Sequence, residues 1–267
     1  MGGVEAQEDA NWQLFLAVND GDLAGVHAAL AAGASPDAAV HNVAALQHAV
    51  QRGHAGCATA LLGSGAHPGG ADSMGRTPLH HAAILGSAAA SAACAAALLA
   101  GGADPAALDS DRCAAAHHAA RRGHVGTLRL LLAAAPAAAL LQTGMGLRPL
   151  GIAVVYGHVS AARCLLEEAP LPPQAWAGEV LAALAVASEA GHDVGCLYVP
   201  LLARSPLNAH EWAEVPCPCA GLGAALPAVV ERSVDEAALL VQRLPPADRE
   251  RLRPLLWPTL NPRPTPA

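Results

Sequence analysis

The chain has 267 residues, 53% of them hydrophobic but only 3% aromatic, and a net charge of −7 with no lysine at all. Such a balance lacks the clustered positive footprint of unspecific nucleic-acid binding and is too apolar for a disordered acidic chain. Seven cysteines, scattered and odd in number, exclude a disulfide framework, and Cys57, Cys94, Cys164 and Cys196 fall where small buried thiols pack like alanine.

The first nine residues hold Glu5, Glu8 and Asp9 and no apolar run, so they read as a flexible N-terminus without a signal segment. Residues 10–41 read as a capping helical unit with Trp12, Leu14, Leu16, Leu23, Val26 and Leu30 as its apolar positions. A repeated pattern follows. Leu46, Leu79, Leu150 and Leu184 each stand seven residues before a glycine (Gly53, Gly86, Gly157, Gly191), and Ala116 holds the same place before Gly123. The step from Leu46 to Leu79 is 33 residues, from Leu79 to Ala116 it is 37, and the next two steps are each 34.

Each step contains a short helix, a glycine stop and a second helix. Thr77 is placed to cap the first helix with its hydroxyl, Pro78 suits the first helical position, and Gly86 is expected to end it in a left-handed conformation. Leu61-Leu62, Leu131-Leu132 and Leu165-Leu166 supply the buried stripe of the second helix. Small-residue turns such as Gly33-Ala34-Ser35-Pro36-Asp37 and Gly102-Ala103-Asp104-Pro105 close the units. The long step carries about four extra residues around the Ala-rich run 88–100. Sequence leaves open whether they lengthen a helix or bulge as a loop. That run, interrupted by Ser91, is short for a membrane span.

The segment Thr77-Pro78-Leu79-His80-His81-Ala82-Ala83-Ile84-Leu85-Gly86 resembles the T-P-L-H-x-A-A-x-x-G signature of the ankyrin repeat family. The resemblance implies an all-α fold, an ankyrin-repeat solenoid of stacked helix-turn-helix units joined by short hairpin loops. It spans residues 10–205 as a cap plus five core-like units, with a degenerate capping repeat at 206–244 and a Pro-rich tail at 245–267. Fixed repeat positions are then Thr77, Pro78, His80, Gly53, Gly86, Gly123, Gly157 and Gly191. By the same resemblance His80 and His117 tie one unit to the next by bonding turn backbone. His48, His81 and His118 occupy the following position in three consecutive units. Stacking would align them in one column, about 10 Å apart, which is too wide for one zinc ion but suited to a pH-responsive strip.

What varies in such repeats lines the concave side. Carried over by position, the partner-binding residues are Arg52, Met74, Arg76, Ile84, Leu85, Arg121, Arg122, Met145, Leu147, Val155 and Tyr156. Ser110, Asp111 and Cys113 belong to the same hairpin set. Apolar and arginine residues side by side fit a protein partner with acidic and apolar groups. No Gly-x-Ser-x-Gly elbow, His-Glu-x-x-His helix or phosphate loop occurs, and Cys217-Pro218-Cys219 reads as a stiffened loop. The reading is therefore a non-enzymatic protein–protein interaction module, acting as adaptor, scaffold or inhibitor. It expects a monomeric, cytoplasmic or nuclear chain with no cofactor, no metal, no nucleic acid and no membrane insertion. The alternative is a ubiquitin-ligase substrate adaptor, because Leu244-Pro245-Pro246 faintly resembles the Leu-Pro element of a SOCS box.

Overall fold

The computed structural model describes residues 2–40 and 43–169. The expected fifth core-like unit with Gly191, the degenerate cap at 206–244, the tail, Cys217 and Cys219, and the SOCS-box-like segment all lie outside the described residues. Ten α-helices are present among those described, and the only strands there form one two-residue hairpin. The described residues fall into two compact units. The first runs to Pro149 and includes Glu168 and Ala169; the second is Leu150–Glu167.

In the first unit helices alternate between two rows. Helices α1 (Gly2–Asp20), α3 (Ala45–Arg52), α5 (Pro78–Ile84) and α7 (Ala115–Arg122) pack each on the next along one row. Helices α2 (Leu23–Ala31), α4 (Ala55–Gly63), α6 (Ala88–Ala100) and α8 (Val125–Ala134) pack likewise along the second, and each pairs with its predecessor in the chain. Strands β1 (Ala39–Val40) and β2 (Val43–Ala44) pair antiparallel ahead of α3. A short 3-10 helix, Pro136–Leu140, follows α8.

The repeat's leucines make this core. Leu46, Leu61, Leu79, Leu98, Leu128 and Leu131 are fully buried, each contributing roughly 1.5–3 kcal/mol of transfer free energy. Alanines 82, 83, 119 and 120 are equally buried and let the rows approach closely. The extra residues of the long step lengthen a helix: α6 has 13 residues where α4 has 9 and α8 has 10. Ser91 lies within α6 and is fully buried, yet its hydroxyl is satisfied. It sits 2.7 Å from the Thr127 hydroxyl and 3.1 Å from Nδ1 of His124, so a polar clasp joins α6 to α8.

Three expectations are corrected. The N-terminal helix begins inside the stretch read as flexible, at Gly2. Of the capping unit's expected apolar positions Leu14 and Val26 are buried, but Trp12, Leu16 and Leu23 are exposed. Helix α1 buries the stripe Ala10, Leu14 and Val18, and a residue two places away points about 200° round the axis. Lastly, Gly53 and Gly123 end their helices left-handed, at φ 78° and 72°, but Gly86 does not. Helix α5 ends earlier, at Ile84, because Leu85 turns extended (φ −47°, ψ 148°) to enter the longer α6.

The second unit carries α9 (Pro149–Val155) and α10 (Val159–Glu168), apart from their outermost residues. Gly157 turns the chain between them at φ 71°, and Leu150, Leu165 and Leu166 are its buried leucines.

Candidate functional site

The loops that precede α5, α7 and α9 are tight hairpins built on one plan. Gly75 donates its amide to the Asp72 carbonyl at 2.9 Å, Arg112 to Asp109 at 2.9 Å and Gly146 to Thr143 at 2.9 Å. The tip is left-handed in each case, and Arg112 takes that conformation (φ 59°) where the other two loops place glycine. Neighbouring hairpins are stitched together. Ser110 donates its amide (3.0 Å) and its hydroxyl (2.7 Å) to the Met74 carbonyl, and Gly144 donates its amide to the Asp111 carbonyl at 3.0 Å.

The histidines then fix helices to hairpins. Nδ1 of His80 accepts the Thr77 amide at 3.1 Å, which assigns the proton to Nε2; that group donates to the Cys113 carbonyl at 2.9 Å. His117 repeats the arrangement, accepting the Ala114 amide at 2.9 Å and donating to the Leu141 carbonyl at 3.0 Å. Thr77 is the N-cap of α5, and its hydroxyl lies 2.9 Å from Nδ1 of His80. Burial pushes both imidazoles below the ordinary value, His117 to about 4. Neutral rings suit their mixed role, because a protonated Nδ1 could not accept an amide hydrogen.

The three histidines of the expected column are chemically unequal. His48 stacks on Phe15 with ring centroids 4.6 Å apart, and burial lowers its pKa first, with the Arg52 charge adding to this. His81 and His118 instead face a hairpin carboxylate. Nε2 of His81 lies 3.0 Å from Oδ2 of Asp72, and Nε2 of His118 lies 2.8 Å from Oδ2 of Asp109. Oδ1 of each aspartate accepts two loop amides: Met74 and Arg76 on Asp72, Asp111 and Cys113 on Asp109. Burial pushes both carboxyls up, but the amides and the facing imidazole outweigh it, so both pKa values fall below the ordinary one. For His81 burial outweighs the pull of Asp72, and its pKa is lowered. Neither aspartate stood out in the sequence. The signal was there in the identical spacing of Asp72 to His81 and Asp109 to His118.

The residues carried over as partner-binding sit at the hairpins and at the ends of the first-row helices. Met74 (47% exposed) and Met145 (80% exposed) project from two hairpins. Leu147 is half-buried on the second, and Arg76 is half-buried beside Met74, its Nε 3.4 Å from Asp72. Arg52 ends α3 and Arg121 and Arg122 end α7, all exposed. Arg52 donates to Oδ1 of Asn19 at 2.8 Å. Ile84 and Leu85 lie half-buried at the end of α5. In the second unit Val155 is half-buried and Tyr156 is exposed, both at the end of α9. Exposed apolar side chains that sequence did not pick out for binding are Trp12, Leu16, Leu23, Leu108 and Leu140.

No helix among the described residues is long and apolar enough to cross a membrane. A search of curated proteins returned no match. A family model describing ankyrin repeats in three copies matches residues 14–92 and again 85–174, together more than half of the chain. With the two-row stack, the left-handed helix stops and the histidine ties from one unit to the next, this places the chain in the ankyrin repeat family.

Proposed function

We propose that this chain recognises another protein through the hairpins and first-row helix ends of its first unit, gripping an extended or helical segment that carries acidic and apolar residues. Ankyrin repeats are general protein–protein interaction modules of a family that is typically non-enzymatic, and this reading makes the chain an adaptor, scaffold or inhibitor. The observation that carries it is that Met74, Met145, Arg52, Arg121 and Arg122 are all exposed on a chain of net charge −7. Thioether side chains adapt to varied apolar surfaces, and arginine pairs with carboxylates in a planar, bidentate fork. Asp72 and Asp109 are held by imidazoles and loop amides.

The test is calorimetric titration of the full chain with acidic, apolar peptides selected on it from a random library. Arg121→Glu/Arg122→Glu weakens binding at least about tenfold, which is about 1.4 kcal/mol. Arg163→Glu, at an exposed position of α10, leaves it unchanged. Equal affinity for the wild type and the double variant removes this face from consideration.

A further inference from the structure

Within one repeat the hairpin before α7 and α7 itself bring three metal-ligating side chains together. Asp109, Cys113 and His118 each present one ligand atom, and these atoms lie within 4.8 Å of one another. Comparison with the preceding repeat, 37 residues earlier, shows what is special here. There Asp72 and His81 form the same carboxylate–imidazole pair, but Arg76 stands where Cys113 stands, and its guanidinium lies 3.4 Å from the Asp72 carboxylate. The earlier repeat thus supplies its own cation. The later one keeps the carboxylate and the imidazole and replaces that cation with a thiol. In the repeat after it Thr143, Leu147 and Ile152 hold the equivalent positions, and the pair is gone.

We propose that Asp109, Cys113 and His118 form a three-ligand site for a divalent transition-metal ion of the zinc class, which staples the hairpin to α7. Mixed oxygen, sulfur and nitrogen ligands with a fourth position left to water suit that ion. The carboxylate is already oriented, because the Asp111 and Cys113 amides hold Oδ1 and aim Oδ2 at the imidazole. Oδ2 and Nε2, 2.8 Å apart, subtend about 90° at an ion about 2.0 Å from each. Sγ of Cys113 makes one long contact, 3.9 Å to the Asp111 carbonyl, so rotation about its Cα–Cβ bond toward the ion gives up no strong bond. Binding releases the thiol proton and moves the imidazole proton from Nε2 to Nδ1. The site departs from the sequence expectation of no metal, which considered only the column of three histidines and the Cys217-Pro218-Cys219 pair.

The experiment is titration of the reduced, chelator-stripped full chain with cobalt(II), reading the near-ultraviolet thiolate-to-cobalt charge-transfer band and its bleaching by zinc. The expected result is a band that saturates at one equivalent. It is lost in Cys113→Ser and in His118→Gln and kept in Cys217→Ser/Cys219→Ser. Zinc raises the thermal midpoint of the wild type and of the Cys217→Ser/Cys219→Ser chain but not that of Cys113→Ser. Circular dichroism matching the wild type shows that the thiol-to-hydroxyl change leaves the helices in place. No band, a band that survives Cys113→Ser, or one lost with Cys217 and Cys219 overturns the proposal.

Discussion

His117 makes the stability of this protein depend on pH in a defined window. Its ring is 1% exposed, accepts the Ala114 amide and donates to the Leu141 carbonyl, so it is held neutral. Burial lowers its pKa from 6.5 to about 4. The unfolded chain therefore binds a proton that the folded chain refuses between those values, and stability falls as pH falls through the window. Full stability is present above the unfolded value. The loss is about 2 kcal/mol by about pH 5 and about 3 kcal/mol once both states are protonated. His80, also lowered by burial, adds a loss of the same sign. Urea unfolding followed by circular dichroism from about pH 7 to about pH 5 measures it. His117→Gln removes the titrating group and should cost about 1–3 kcal/mol near neutrality for the lost bridge. Its pH profile should be flatter, so that the gap from the wild type narrows in acid. Parallel profiles for the two proteins would refute the reasoning.

The remaining predictions concern backbone and packing. Gly53→Ala places a Cβ at φ 78° and 3.2 Å from the Ala90 methyl, and should destabilise by about 1 kcal/mol or more in thermal unfolding. Gly86→Ala meets open space at an ordinary φ and should change stability by less than about 0.5 kcal/mol in the same assay, or raise it slightly. Arg112→Gly relieves a left-handed arginine and should stabilise by about 1 kcal/mol in urea unfolding. Leu98→Ala empties a fully buried site in α6 and should cost about 2–5 kcal/mol.

The repeat was legible because its core positions recur at fixed steps and each has a local physical cause: leucine for burial, glycine for the left-handed stop, histidine for the tie. The errors arose where a local signal was read without its geometry. Trp12 and Leu16 look like core beside Leu14, but one helix buries one stripe, and Ala10, Leu14 and Val18 already fill it. Gly86 carries the glycine of a helix stop, yet the longer helix α6 draws Leu85 out of helical conformation first. The Asp109, Cys113 and His118 set was not legible as a set. A hairpin folds the aspartate back over the helix, so proximity in space replaces the spacing along one helix face that sequence patterns reveal. The residues proposed to face a partner were legible only as positions. Their chemistry is variable, and nothing in the repeat's own stability fixes it.

Hydrogen exchange of the full chain, with and without a saturating acidic and apolar peptide selected on it, tests the central claim most directly. The account predicts protection in the hairpins at 72–76 and 109–113 and at the ends of α5 and α7, with α4, α6 and α8 unchanged. Protection confined to α4, α6 and α8, with the hairpins exchanging as in the free chain, would contradict it.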